Sequence, residues 1–380
     1  MRNHSHIRIA LCAVALLMAT LSWAQAKPKW SAEYEKKVGA EAAAEVEKKW
    51  KLVDDQPNLK KLTEIVNNIS TVCDRPEVKY TVKIVDTDEV NAFSLPGGLV
   101  YVTKGLLADA QSDSELAGVL AHEITHNTFY DALIRADKSQ KLFMGSLGAA
   151  LGALILGAKN QEISAALAAG EYIRLGILSN FSLDVESRAD AYALKYLIAG
   201  KKYNPVGMLT FMERLAAQER HKPKQELGVY ADHPDTDLRC QALVDQLEEA
   251  DVDINRRAVT KWEPAKAEEK EVDGKKVAVL SLWGVELMKV QCGVDGKAPL
   301  DRAKTMAELV TKCLADGMEA YQVTTELQTP QPEVLLGRAV LLTVTPEDAD
   351  AAKIPAPELA KSVVTNFGTA LRNEQLGRRW

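Results

Sequence analysis

The segment ELAGVLAHEITHNTFYDALI, residues 115–134, places two histidines and a glutamate within an otherwise largely apolar stretch. Residues four apart lie about 40° from each other on one helix face, so His122 and His126 can reach one object. The pattern H-E-x-x-H suits two imidazoles on one zinc ion, with the intervening carboxylate holding the attacking water. That makes Glu123 the candidate general base and metal-assisted hydrolysis the candidate chemistry. The plainer alternative is a pair of solvent-facing histidines. A catalytic zinc needs a third protein ligand and an open fourth position, and Glu186 in ESRAD offers the carboxylate. Asp190, four residues on, can accept a hydrogen bond from the second nitrogen of a metal-bound histidine and fix its tautomer. Here the alternative is a solvated helix face on which Glu186, Arg188 and Asp190 pair locally. His233, in HPDTDLR, is a further candidate, whereas His221 beside Lys222 and Pro223 reads as surface.

These residues need elements to hold them. Ser112 with Glu115 fits a capping box, so the HEITH helix should start near Asp113 and run into the region Asp131 to Asp137. Asp184 to Ala199 reads as the helix that carries Glu186 and Asp190, and Val206 to Glu219 as the next one. Upstream, helices are expected over Ser31 to Trp50 and Asn58 to Ser70, followed by strand-like KYTVKIVDTDEV. In NAFSLPGGLVYV, a turn at Pro96-Gly97-Gly98 precedes a strand over Leu99 to Thr103. A helix ending near Ala250 leads into VTKWEPAKAEEKEVDGKK, charged and poor in apolar residues, which reads as a linker. Beyond it, strands alternate with helices over Asp301 to Asp316 and through Leu371, as in a small α+β domain. The organisation predicted is a leader over residues 1–26, a catalytic domain over 27–256, a linker over 257–275 and an accessory domain over 276–380.

With 380 residues the chain is long enough for two domains, and 47% hydrophobic with 26% charged residues is a globular composition. A net charge of -6 without a basic stripe gives no support to nucleic-acid binding. Arg2 and Arg8, the apolar run Ile9 to Leu21 and the small residues up to Ala26 form a secretory signal pattern. An exported protein, periplasmic or otherwise extracytoplasmic, is expected, with a membrane-held signal anchor as the alternative to a cleaved leader. Export would let disulfides persist. Domain placement favours Cys73 with Cys240 and Cys292 with Cys313, with isolated thiols as the alternative. The absence of any CxxC pair gives no support to a thiolate zinc knuckle. Residues 142–158, uncharged and rich in Gly and Ala, suggest a buried or membrane-touching hairpin near the site, with a true membrane span as the alternative.

Taken in order and at these spacings, NAFSLPGG, HEITH, ESRAD and HPDTDLR resemble the gluzincin family that includes the HtpX-like, BepA-like and CAAX prenyl endopeptidases. The resemblance covers about Trp30 to Asp251. It implies a mainly helical zincin-type domain with a small β-sheet, α+β in class. It also implies one zinc per chain at His122, His126 and Glu186, with Glu123 as general base and Asp190 in support. An edge strand over Asn91, Ala92, Phe93, Ser94, Leu95, Pro96, Gly97 and Gly98 would bind an extended polypeptide by β-augmentation. His233 and Arg239 would stabilise the oxyanion or order the site. The chain departs from the family's integral-membrane members in lacking several firm transmembrane helices, and from some periplasmic relatives in lacking a tetratricopeptide array. Its tail resembles a small accessory domain of envelope proteins. The activity implied is zinc-dependent endopeptidase cleavage, and export with the apolar stretch near the site suggests misfolded or membrane-proximal envelope proteins as substrates, in quality control. Two other readings compete: a zinc-containing envelope chaperone or adaptor with little cleavage, and a structural zinc whose shell His233 closes.

Overall fold

A computed structural model of the chain describes residues 30–138, 181–219, 236–272, 275–328 and 330–377. The expected leader, residues 142–158, His221 and His233 lie outside the described residues. The first helix, α1 (Ala32–Lys49), is capped by the Ser31 side chain, which accepts from the Tyr34 N–H. The second, α2 (Gln56–Ser70), is capped by Asp55 and buries Leu62, Ile65, Val66 and Ile69. Strands β1 (Leu52–Val53), β2 (Thr81–Val85), β3 (Ala92–Leu95) and β4 (Leu99–Thr103) form one sheet in the order β1-β2-β4-β3. Strand β2 runs parallel to β4, and β3 pairs with β4 antiparallel across the Pro96–Gly98 turn. Both glycines of that turn have positive φ, 84° and 87°, a conformation that side chains with a Cβ rarely adopt. Among the described residues β3 is therefore an edge strand.

Behind the sheet lies the HEITH helix, α4 (Asp113–Thr128), reached through the short helix α3 (Lys104–Asp109). Leu116, Ala117, Leu120, Ala121 and Ile124 are buried in the core shared with α2 and the sheet. Each fully buried leucine or isoleucine contributes about 1.5–3 kcal/mol, which offsets the cost of sinking polar groups on the same helix. The Ser112 side chain accepts from the Glu115 N–H as the capping box requires, but the Glu115 carboxylate reaches the Gln111 N–H and not that of Ser112. The same carboxylate is buried against Thr210 and Arg214.

The helix does not continue into Asp131 to Asp137 as the periodicity suggests. It ends at Thr128, Tyr130 takes a left-handed conformation at φ 57°, and a separate helical stretch covers 131–138. Helices α5 (Leu183–Gly200), α6 (Val206–Glu219) and α7 (Thr236–Glu249) complete this half. At Gly118, α4 packs on α6 so closely that a Cβ would lie 2.6 Å from the Met208 Cα.

Arg256–Ala258 forms a 3-10 turn, and Arg256 pairs with Glu213 of α6 while its neighbour Arg257 pairs with Glu374. Within the stretch 257–275, expected as a linker, Lys266–Val272 forms strand β5, paired along its length with β6 (Lys275–Leu282). Its charged side chains face solvent while the backbone ladder holds it, so low apolar content concealed a strand. Strand β7 (Val285–Val290) completes this sheet. A second sheet holds β8 (Val323–Glu326), β9 (Glu333–Leu336) and β10 (Ala339–Thr343), and α8 (Pro299–Ala315), α9 (Pro346–Ala352) and α10 (Ala356–Gly377) supply the helices. Both sheets share one core with α8 and α10. The class is α+β, as expected.

Cys73, Cys240, Cys292 and Cys313 are all free thiols, so the pairing favoured by domain placement does not form. Cys73 sits in the core at the end of α2, with its Sγ on the Ser70 carbonyl, whereas the Cys292 Sγ bonds to Asp348. Burial pushes the Cys240 thiol up to about 12.

Candidate active site

His122 and His126 project from successive turns of α4, and Glu186 projects toward them from the first turn of α5. One donor atom from each of the three lies within 4.8 Å of the other two, and all three residues are buried. The two Nε2 atoms are 3.0 Å apart, and the Glu186 carboxylate is 3.3 Å from His122 Nε2 and 3.5 Å from His126 Nε2. The three metal candidates read from the sequence therefore converge, and the solvent-facing alternatives for them do not hold.

A second ring of residues orients the first. Asp190 Oδ1 lies 2.9 Å from His122 Nδ1, and Asp131 Oδ2 lies 2.9 Å from His126 Nδ1. With each Nδ1–H directed at a carboxylate, each Nε2 is left facing the centre of the cluster. Asp190 was legible from its spacing. Asp131 was not, because five residues along an unbroken helix correspond to about 140° of rotation, away from His126. The break at Phe129 and Tyr130 turns Asp131 back, and Arg188 on α5 donates to its other oxygen. Arg188 also lies over the Phe129 ring, and Phe181 stacks on His126 at 4.3 Å between centroids. Arg239 is buried on α7: Nε donates to Asp190 Oδ2 at 2.6 Å, Nη2 to Asp190 Oδ1 at 2.8 Å, and Nη1 lies 2.9 Å from Glu186 Oε2. Arg239 is thus tied to two of the buried carboxylates, Asp190 and Glu186.

The electrostatics suit a cation. Burial opposes charge on His122, yet its bonds to Asp190 and Glu186 outweigh this and push it up to about 10. His126 goes the other way, pulled down by burial more than Asp131 can restore. Burial alone would raise Asp190, but the Arg239 guanidinium beside it brings it down to about 2. Two nitrogen lone pairs at 3.0 Å repel unless a positive centre lies between them. Two imidazoles, one carboxylate and both Nδ1 atoms already engaged form a donor set that fits zinc.

Glu123 follows His122 and lines a cavity of about 40 Å³ with His122, Ala92 of β3, Met208 and Phe211 of α6, and Arg239. Edge strand and helix are tied together here, for Ser94 Oγ donates to the Glu123 carbonyl at 2.8 Å and the Asn127 side chain donates to the Leu95 carbonyl. The Thr103 N–H donates to the Asn91 carbonyl, which fixes the alternation of the ladder. Phe93 and Leu95 thus face β4, while the backbone groups of Ala92 and Ser94 point off the edge. Pro96, Gly97 and Gly98 make the turn.

A buried two-histidine, one-carboxylate cluster with a glutamate beside it, set against an edge strand, defines a metallopeptidase domain. The chain belongs to Peptidase family M48, whose profile matches residues 57–247. A domain of unknown function (DUF8459) matches residues 278–374. The chain is 26% identical over 225 residues to Mitochondrial metalloendopeptidase OMA1 of Schizosaccharomyces pombe, a match covering 58% of this chain and 64% of that protein. It is 31% identical over 160 residues to Beta-barrel assembly-enhancing protease of Yersinia pestis, covering 41% and 32%. With Metalloprotease YcaL of Escherichia coli it shares 25% over 190 residues, covering 50% and 69%. The chain thus spans less than two thirds of the length of the first two relatives.

Proposed function

We propose that the chain is a zinc-dependent endopeptidase of the cell envelope that cleaves extended segments of misfolded or membrane-proximal proteins. The convergence of His122, His126 and Glu186 within 4.8 Å is the observation that carries this reading. The relatives named as metalloendopeptidases and as a β-barrel assembly-enhancing protease support it. Among the described residues no helix is long and apolar enough to cross a membrane.

His122, His126 and Glu186 would hold one zinc ion. When bound, zinc supplies a Lewis acid and lowers the pKa of water toward neutrality. The chain's own residues do the rest. An extended segment pairs with the outward backbone groups of Ala92 and Ser94, which brings its scissile carbonyl beside Glu123. The Glu123 carboxylate takes the proton of the attacking water and returns it to the leaving amine nitrogen. Asp190 and Asp131 hold the two imidazoles through Nδ1, and Arg239 fixes Asp190 and Glu186 in turn.

Glu123→Gln is the test. It should retain zinc while cleavage of unfolded casein falls to background, and a chelator should abolish wild-type cleavage. Casein cleavage by Glu123→Gln at the wild-type rate would refute the mechanism. Wild-type protein that binds unfolded casein without cutting it would point instead to a zinc-containing chaperone or adaptor.

A further inference from the structure

Two charged residues far from the cluster in sequence meet under the substrate strand. Glu35 of α1 and Arg75, in the loop after α2, are 3% and 7% exposed and form a two-pronged ion pair at 2.8 and 3.0 Å. Each has a second partner. Glu35 Oε1 also accepts from the Gly97 N–H at 3.1 Å, in the turn that ends β3, and Arg75 Nη1 donates to the Asn127 carbonyl at 3.1 Å, in the last turn of α4. Asn127 closes the ring by donating its side-chain N–H to Leu95. The Arg75 guanidinium lies 4.0 Å from the centre of the Tyr130 ring, at the break that turns Asp131 toward His126. Helix α1 rests directly on this turn: a Cβ at Gly39 would come within 1.9 Å of the Pro96 carbonyl oxygen.

A buried ion pair is a weak source of stability, because desolvation cancels most of its attraction and an apolar pair of similar volume often does as well. What this pair supplies is a fixed distance between three pieces of backbone. We propose that Glu35 and Arg75 are positioning residues that set the spacing between edge strand β3 and the metal helix, so that a polypeptide laid on Ala92 and Ser94 meets Glu123 in register. The inference rests on the endopeptidase reading above. It also makes α1 a working part of the substrate site, since displacements of about 1 Å in a reacting geometry can cost about a hundredfold in rate.

The test uses the full chain carrying Glu35→Met and Arg75→Met together, which removes both charges at once and leaves neither buried alone. Zinc content should match wild type. KM for a long quenched fluorescent peptide should rise about tenfold, the equivalent of one lost hydrogen bond. Cleavage of a blocked dipeptide, too short to pair along β3, should change less than about twofold by the same scale. A merely structural role would lower both activities together. Backbone amide exchange over 92–95 should quicken about tenfold. If the double variant does not fold, Glu35→Gln keeps the shape and one acceptor oxygen, and should raise the same KM about threefold. Unchanged KM for the long peptide together with unchanged exchange in a folded variant would overturn the proposal. If wild type cleaves neither peptide, the endopeptidase reading fails, and the exchange measurement still decides whether the pair holds β3.

Discussion

Arg239→Met should destabilise the metal-free protein far more than the metal-loaded one. The wild-type guanidinium makes three contacts of 2.6 to 2.9 Å with two buried carboxylates, Asp190 and Glu186. Replacing it with an apolar side chain of similar length leaves two acids in one buried site without the guanidinium that faced both. Breaking a buried charge pair costs about 3–5 kcal/mol, and with two carboxylates stranded the loss should lie near the top of that range. A bound divalent cation restores the missing positive charge, so saturating zinc should recover roughly half of it through linkage. The assay is urea unfolding of both proteins, once in chelator and once in excess zinc. A loss below about 1 kcal/mol in chelator, within the range of an ordinary surface ion pair, would refute the claim that Arg239 is the counter-charge on which the site is built. So would an equal loss with and without zinc.

Asp131→Asn should keep the fold but weaken zinc binding by about 10–100-fold, the usual effect of losing an outer partner of a metal-binding histidine; competitive titration against a chromophoric chelator measures it, and an unchanged affinity would remove Asp131 from the site. Asp348, buried in the C-terminal half, is raised by burial but lowered further by its bonds to Arg302, with a net shift below the usual carboxylate range. Because the folded value lies below the unfolded value of about 3.9, its contribution to stability is present above about pH 4 and lost as pH falls through the folded value. Melting curves between neutral and acid pH should show Asp348→Asn less stable than wild type near neutrality, with the difference shrinking below about pH 4. A constant difference across that range would contradict the assignment.

Much of the site was legible because its chemistry obeys local spacing. His122 and His126 share a helix face by periodicity, Glu123 lies between them, and Glu186 and Asp190 repeat the four-residue spacing on α5, so five residues could be assigned before any packing was known. The turn at Pro96-Gly97-Gly98 and the strand after it were legible from the residues, whereas the edge strand before it came from the family resemblance. What escaped depends on backbone breaks and long-range contacts. Asp131 reaches His126 only because Tyr130 adopts a left-handed conformation, and the residue type gives no warning of that. Arg188 carried no role in the sequence beyond the alternative of a solvated helix face, yet it pairs with Asp131. Glu35 lies on the helix expected over Ser31 to Trp50 and Arg75 beyond the one ending at Ser70, and only tertiary packing brings them under Gly97 and Asn127. Strand β5 was hidden by its charge, since ladder hydrogen bonds carry no signature in side-chain polarity.

Two imidazoles and one carboxylate distant in sequence converge where they would share a single metal ion. X-ray absorption at the zinc edge, combined with metal stoichiometry on the purified protein, tests it most directly. The expected result is one zinc per chain in a shell of nitrogen and oxygen only, with imidazole nitrogens at about 2.0–2.1 Å, and loss of that zinc in His122→Ala. A protein without stoichiometric zinc, or a sulfur shell at about 2.3 Å supplied by the free cysteines, would contradict it.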